Sequence, residues 1–332
     1  MSEDLIKKQP TPLGTELAQL LKAAGDPLRL EILRALSSDS FGVLELCYAF
    51  GVKQSALSHH LKVLSTVGLV TTRREGNTIF YRRNHIFPGE HFAEVKSAIY
   101  RNTDQLDLGD TVLEKIQTIH EDRAKASKQF FNDRAQDFKE QQDLIASFEI
   151  YGEQVGELLD SSPLPSNNSV LEIGPGAGEF LPFLAQRFDS VTALDLSASM
   201  LEKAKTLSAE KQLNNIQFIC SDTSYCQEYS ELFDCVVINM VLHHTPSPNQ
   251  IFSDISQIIK PKGILLICDL SNHDQEWVKN ACGDLWLGFD RKDLIQWGRE
   301  NQFHEGQSAY FTLRNGFQIQ IQQFIKNHPG DY

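Results

Sequence analysis

The sequence predicts an α/β chain in two parts: a small helical module closed by a β-hairpin, then a doubly wound parallel sheet. Three observations predict it. Helical apolar spacing fills the first part and gives way to strand-like pieces around Gly76-Asn77. From Val170 onward, short apolar runs alternate with amphipathic stretches, the rhythm of strands separated by crossover helices. The stretch "VLEIGPGAGEFLPFLAQRFDSVTALDLS" (170–197) joins an apolar run, a glycine-rich bend, a helix and a second apolar run ending in an acid.

Length and composition set the bounds. At 332 residues there is room for two ordinary domains, expected at 1–103 and 131–332 with a helical connector at 104–130. An apolar share of 41% with 23% charged residues is that of a soluble globular protein. No run reaches bilayer-spanning length, and "MSEDLIKKQPTPLG" has no apolar core, so no membrane partner and a cytoplasmic location are expected. The six cysteines form no C-x-x-C pair, a spacing that suits neither a disulfide framework nor a structural zinc site.

Charge is uneven. Residues 1–103 carry 13 Lys+Arg against 10 Asp+Glu, and 104–332 carry 18 against 34, which together give the net −13. A polyanionic partner would therefore dock on the first part.

Within that first part, Leu17, Leu20, Leu21 and Ala24 share one helical face. Asp26-Pro27 reads as N-cap and first-turn proline of a second helix running to Leu36. "VLELCYAF" makes a short third helix that stops at Gly51. In "VKQSALSHHLKVLSTVGLV", Leu57, Leu61 and Leu64 face inward, leaving Gln54, Ser55, Ser58, His59 and Lys62 outward. Short polar side chains of that kind reach base edges in a DNA major groove. "LVTTRRE" and "TIFYRR" flank the Gly76-Asn77 turn, and Arg73, Arg74, Arg82 and Arg83 gather on this hairpin, where they would rest on phosphates. This α+β order is that of a winged helix-turn-helix.

The set "DPLRLEILRAL", "QSALSHHLKVLSTVGLV" and "RREGNTIFY" resembles the ArsR-type family of regulators over residues 14–84. The resemblance implies a homodimer reading an inverted repeat in double-stranded operator DNA. Metal sensing does not carry over: Ala49 stands where the family's second cysteine would follow Cys47. His91 and Glu94, expected at i, i+3 of the next helix, lack a companion Asp-x-His. No metal is expected.

In the second part, strands at 170–174, 190–196, 216–221, 234–240 and 263–269 alternate with helices at 179–188, 198–210 and 248–259. Ligands of such sheets sit at the carboxyl ends of the strands, where the glycine bend falls. A dinucleotide fold wants G-x-G-x-x-G; here the glycines are Gly174, Gly176 and Gly178, and Glu179 holds the third glycine's place, opposing a pyrophosphate. There is no G-x-x-x-x-G-K-[ST] either. G-x-G-x-G behind Glu172 suits a cofactor without phosphate whose positive end needs carboxylates.

The segment resembles the first motif of class I methyltransferases, which are Rossmann-like and use S-adenosylmethionine. "FDCVVINMVLHHTPSPNQIFSDISQIIKPKGILLICDL" continues the likeness, which covers about 130–325. It implies that Glu172, Gly174, Gly176 and Gly178 line the cofactor. Asp195 with Leu196 would take the ribose, Asp222-Thr223 the adenine, and Met200 and Asn239 would also contribute. Singly, Asp195 also fits a turn, Asp222 a helix cap and Met200 the core.

For chemistry, His243 and His244 lie just beyond the fourth strand, where one would serve as base or orient a small-molecule acceptor, or merely cap the turn. "NHDQEWVKNACGDLWLGFD" would form a lid, with Trp277, Trp286 and Phe289 lining the acceptor pocket or simply packing. Cys220 and Cys226 do not make a convergent thiolate set for arsenite. The function expected is a methyltransferase joined to a DNA-binding regulator, since neither the glycine turn nor the end of the fourth strand looks degraded; the alternative is a non-catalytic repressor sensing S-adenosylmethionine or S-adenosylhomocysteine.

Overall fold

The structure is a computed structural model in which residues 12–87, 89–134 and 138–328 are described. Most of the N-terminal stretch expected to hold no leader, residues 1–11, lies outside them. The chain divides into two compact units, Met1–Ile119 and His120–Tyr332. No helix among the described residues is long and apolar enough to cross a membrane.

The first unit opens with α1 (Pro12–Ala24) and α2 (Pro27–Ala35). Asp26 caps α2 as expected: its φ of −136° is extended and its Oδ1 accepts from Arg29 N at 3.0 Å. A two-residue strand, β1 (Phe41–Gly42), precedes α3 (Val43–Phe50), which ends on Gly51 at φ 64°. Helix α4 (Gln54–Thr66) follows, then β2 (Val70–Glu75) and β3 (Thr78–Arg83), paired antiparallel from Glu75↔Thr78 to Val70↔Arg83. Strand β1, not foreseen in the sequence, joins β3 through Phe41↔Tyr81 and makes the wing three-stranded. Ile32, Leu33, Leu57, Leu61 and Leu64 are fully buried in the core of this unit. Helix α5 (Ala93–Thr103) begins two residues after His91, so the expected His91/Glu94 helical pair does not form. Helix α6 (Asp110–Arg134) contains the division between units; its Ile119 belongs to the first core.

In the second unit α7 (Phe138–Ile145) and α8 (Phe148–Asp160) precede the sheet. There follow β4 (Ser169–Ile173), α9 (Leu181–Arg187), β5 (Ser190–Asp195), α10 (Ala198–Glu210), β6 (Ile216–Cys220) and β7 (Phe233–Asn239). Next come α11 (Pro248–Ile258), β8 (Ile259–Leu270), α12 (Trp277–Ala281), α13 (Arg291–Glu300), β9 (Phe303–Thr312) and β10 (Gln318–Lys326). The strand order is β6-β5-β4-β7-β8-β10-β9. Strands β4 to β8 are parallel; β10 is antiparallel to β8 and β9, so the sheet is mixed, not wholly parallel as expected. The chain runs outward from β4 through β5 and β6, then returns to β7 on β4's other side. That reversal opens a crevice at the carboxyl ends of β4 and β7.

The last two strands escaped sequence reading because "QIQIQQF" looks polar. Gln320, Gln322 and Gln323 are nonetheless buried and bonded: Gln320 Nε2 donates to Phe289 O at 2.7 Å, and Gln323 Oε1 accepts from Gln307 N at 2.9 Å.

Candidate functional site

The glycine bend leaves β4 with positive φ at Gly174 (66°), Gly176 (57°) and Gly178 (87°). Only glycine takes that succession readily. At Gly174 there is a second constraint, since a Cβ would stand 2.5 Å from Val241 Cγ2. At Gly176 a Cβ would meet nothing nearer than Met200 Cε at 4.0 Å, so bare backbone faces open space there.

Carboxylates surround this bend. Glu172, inside β4, is 1% exposed, and Asn239 at the end of β7 is 9% exposed. Asn239 Nδ2 donates to Glu172 Oε1 at 3.4 Å, while Glu172 Oε2 and Asn239 Oδ1 are buried without a hydrogen-bond partner. Burial pushes the Glu172 carboxyl up to about 8; the Asn239 bond opposes this and the Asp195 charge adds to it. Asp195, half-buried at the end of β5, accepts from Ser197 N at 2.8 Å. Burial raises it to about 6 against the backbone N–H groups of Ser197 and Gly176. Two neighbouring carboxyls destabilised as anions, beside the orphaned acceptors Glu172 Oε2 and Asn239 Oδ1, suit a cationic ligand rich in N–H and O–H donors.

Leu196 is half-buried beside Asp195. Met200, 5% exposed, packs against Phe130 and Phe131, the core role that was its alternative reading. Asp222 is exposed and accepts from Ser224 N at 2.9 Å as a helix cap. Thr223 Oγ1 is engaged with Asp254 Oδ2 at 2.6 Å. Glu179, read as opposing a pyrophosphate, is met by Lys139 Nζ at 2.5 Å, so its charge is compensated and the glycine spacing alone carries that exclusion.

His243 and His244 are buried just beyond the end of β7. They are 1% and 6% exposed. His243 Nδ1 lies 2.7 Å from Asp269 Oδ1. Burial opposes charge on His243, yet Asp269 and Asp284 raise it to about 9, whereas burial and the His243 charge lower His244. His243 O also accepts from Leu285 N (3.0 Å) and Trp286 N (3.1 Å), tying the 282–289 segment to the turn after β7. Asp269 and Asp284 were missed in the sequence, although an acid closing the apolar run "ILLICD" is a buried-charge signal. Trp286 (3%) and Phe289 (1%) are core residues rather than pocket lining; Trp277 is 38% exposed.

In the first unit, Gln54, Ser55, His59 and Lys62 are exposed on α4 and Ser58 is half-buried, while Leu57, Leu61 and Leu64 are sealed beneath. Arg74 is exposed, its Nε donating to Gly76 O at 2.9 Å. Arg73 departs from expectation. Alternation along β2 sends it to the other face, where its side chain, 10% exposed, pairs with the fully buried Glu75 carboxylate. Arg83 is likewise structural, bound to Leu33 O at 2.7 Å and Asp104 Oδ1 at 2.7 Å.

Comparison with known proteins agrees with both units. Residues 26–72 match the family described as bacterial regulatory protein, arsR family, and residues 171–267 match a methyltransferase domain. The arsenical resistance operon repressor of Staphylococcus xylosus is 46% identical over 72 residues, covering 22% of this chain and 69% of the repressor. The malonyl-[acyl-carrier protein] O-methyltransferase of Marinomonas sp. (strain MWYL1) is 29% identical over 140 residues, covering 42% of this chain and 50% of that enzyme. The chain thus spans about half the length of the curated methyltransferases it matches. A structure of the Haloferax volcanii Trm112 methyltransferase activator in complex with its partner protein superposes with TM-score 0.50 at 14% identity, covering 60% of this chain and 98% of that one, a likeness of fold. The chain belongs to the arsR family of bacterial regulatory proteins and carries a methyltransferase domain behind its winged helix-turn-helix.

Proposed function

We propose that the second unit binds S-adenosylmethionine over the glycine bend and supports methyl transfer to a small-molecule acceptor, while the first unit, as a homodimer, binds operator DNA. The observation that carries this reading is the buried pair Glu172–Asn239, whose Oε2 and Oδ1 are unsatisfied beside Asp195 and the open backbone at Gly176. Those acceptors would hold the amine and ribose hydroxyls, and Asp222 would reach the adenine edge. The sulfonium, when bound, supplies an activated methyl group. The chain's contribution is alignment and exclusion of water, which restricts the acceptor to in-line approach. Gln54, Ser55, Ser58, His59 and Lys62 would contact base edges and Arg74 a phosphate.

A second reading has its own support. Among the described residues, the histidines just beyond β7 are buried and engaged, so the cleft offers a cofactor berth without an exposed histidine base. That favours a sensor in which S-adenosylmethionine or S-adenosylhomocysteine biases DNA affinity, provided the two DNA-binding states bind the ligand unequally.

Calorimetry of the full chain with each adenosyl compound tests the berth; no binding to either removes both readings. Operator titrations with and without ligand, run beside a methyl-transfer assay on phenolic, amine and thiol acceptors, separate them. Turnover selects the enzyme, and ligand-shifted DNA affinity without turnover selects the sensor.

A further inference from the structure

We propose that His243, His244 and Asp284 form a buried site for a divalent cation of the zinc type. This goes beyond the cofactor reading and uses none of its residues. A ring nitrogen from each of His243 and His244 and an Asp284 carboxylate oxygen converge, all within 4.8 Å of one another. Asp284 Oδ1 stands 3.9 Å from His243 Nε2 and 3.7 Å from His244 Nδ1. These separations exceed hydrogen-bond lengths of roughly 2.7–3.2 Å. They approach the roughly 3.3 Å between ligands held at about 2.0–2.1 Å on a tetrahedral zinc.

The surroundings are those of a ligand set. Asp269 Oδ1 lies 2.7 Å from His243 Nδ1, and with a cation bound it would accept from that nitrogen and leave Nε2 to ligate. A carboxylate behind a ligating histidine orients it and strengthens it as a donor to metal. His244 Nδ1 makes a long 3.4 Å contact with Gly283 O. Two imidazoles and one carboxylate suit zinc and disfavour the oxygen-seeking magnesium and calcium.

The site has a mechanical consequence. Both histidines sit on the turn after β7, and Asp284 on the segment whose Leu285 and Trp286 N–H groups already bond His243 O at 3.0 and 3.1 Å. A cation there would staple that segment across the carboxyl ends of β7 and β8.

The test uses the untagged full chain, dialysed against micromolar zinc and then metal-free buffer. Plasma mass spectrometry is expected to find a single zinc ion per chain, and chelation to lower the thermal midpoint, with zinc restoring it. His244→Ala and Asp284→Asn should each lower retained zinc at least tenfold, and cobalt substitution should give four-coordinate visible bands absent from both variants. If a variant fails to fold, the wild-type zinc content and an X-ray absorption shell of nitrogen and oxygen neighbours decide instead. A wild-type chain that retains no zinc, a shell containing sulfur, or folded variants that keep wild-type zinc would overturn the site, leaving His243 as a proton-bearing bridge between carboxylates.

Discussion

Two alanine substitutions in the glycine bend should act by different routes. Gly174→Ala places an L-residue at φ 66° and its methyl 2.5 Å from Val241 Cγ2. The left-handed backbone costs about 1–2 kcal/mol. Overpacking against Val241 adds about 1–3 kcal/mol. The expected loss is therefore roughly 2–5 kcal/mol in the second unit. Gly176→Ala, at φ 57° with nothing nearer than 4.0 Å, incurs the backbone part alone, about 1–2 kcal/mol. Its methyl should nonetheless intrude where the adenosyl compound passes, reducing affinity at least tenfold. All three tryptophans, Trp277, Trp286 and Trp297, lie in the second unit, so urea unfolding followed by their fluorescence isolates the relevant transition. Adding Val241→Ala to Gly174→Ala should recover the steric part. Equal destabilisation by the two substitutions, or wild-type calorimetric affinity in Gly176→Ala, would refute the reasoning.

Because burial holds Glu172 up to about 8, it is largely protonated at pH 7 without ligand; a cation beside it lowers that value, so binding should release a proton at pH 7 and none well above pH 8. Calorimetry in buffers of different ionisation enthalpy reads this, and buffer-independent heats at pH 7 would contradict it. Ser58→Ala and His59→Ala should weaken operator binding more than binding to random DNA, as measured by fluorescence anisotropy. Arg74→Ala should weaken both alike and lower the salt slope by about 1. Arg73→Ala should instead destabilise the wing, on the order of 1–3 kcal/mol, by removing a charged partner of buried Glu75. Burial tends to raise Asp234, but bonds from Ser166, Lys260 and Ser169 prevail and hold it below the usual carboxylate range. It therefore stabilises the fold above the unfolded value of about 3.9, and that contribution is lost as pH falls through the lower folded value. Asp234→Asn should flatten the acid limb of a stability–pH curve.

Local chemistry is what the sequence determined by itself. The Asp26-Pro27 cap, the Leu57/Leu61/Leu64 stripe, the Gly76-Asn77 turn and the G-x-G-x-G bend each act within a few residues, where backbone sterics and periodicity suffice. The five parallel strands and the cleft acids Glu172 and Asp195 follow from the same regularities, because the carboxyl end of a strand is where such sheets bind. Tertiary structure decided what depends on partners distant in sequence. Arg73 could be told from Arg74 only once Glu75 and the wing core took one face of β2. Gln320 and Gln323 of β10 became core residues only when Phe289 and Ser162 met them. The surroundings of His243 were set only when Asp269 and Asp284, 26 and 41 positions downstream, closed around it. A hydrogen bond or buried charge is worth little until its partner is supplied, and that partner is chosen by the packing of the whole unit.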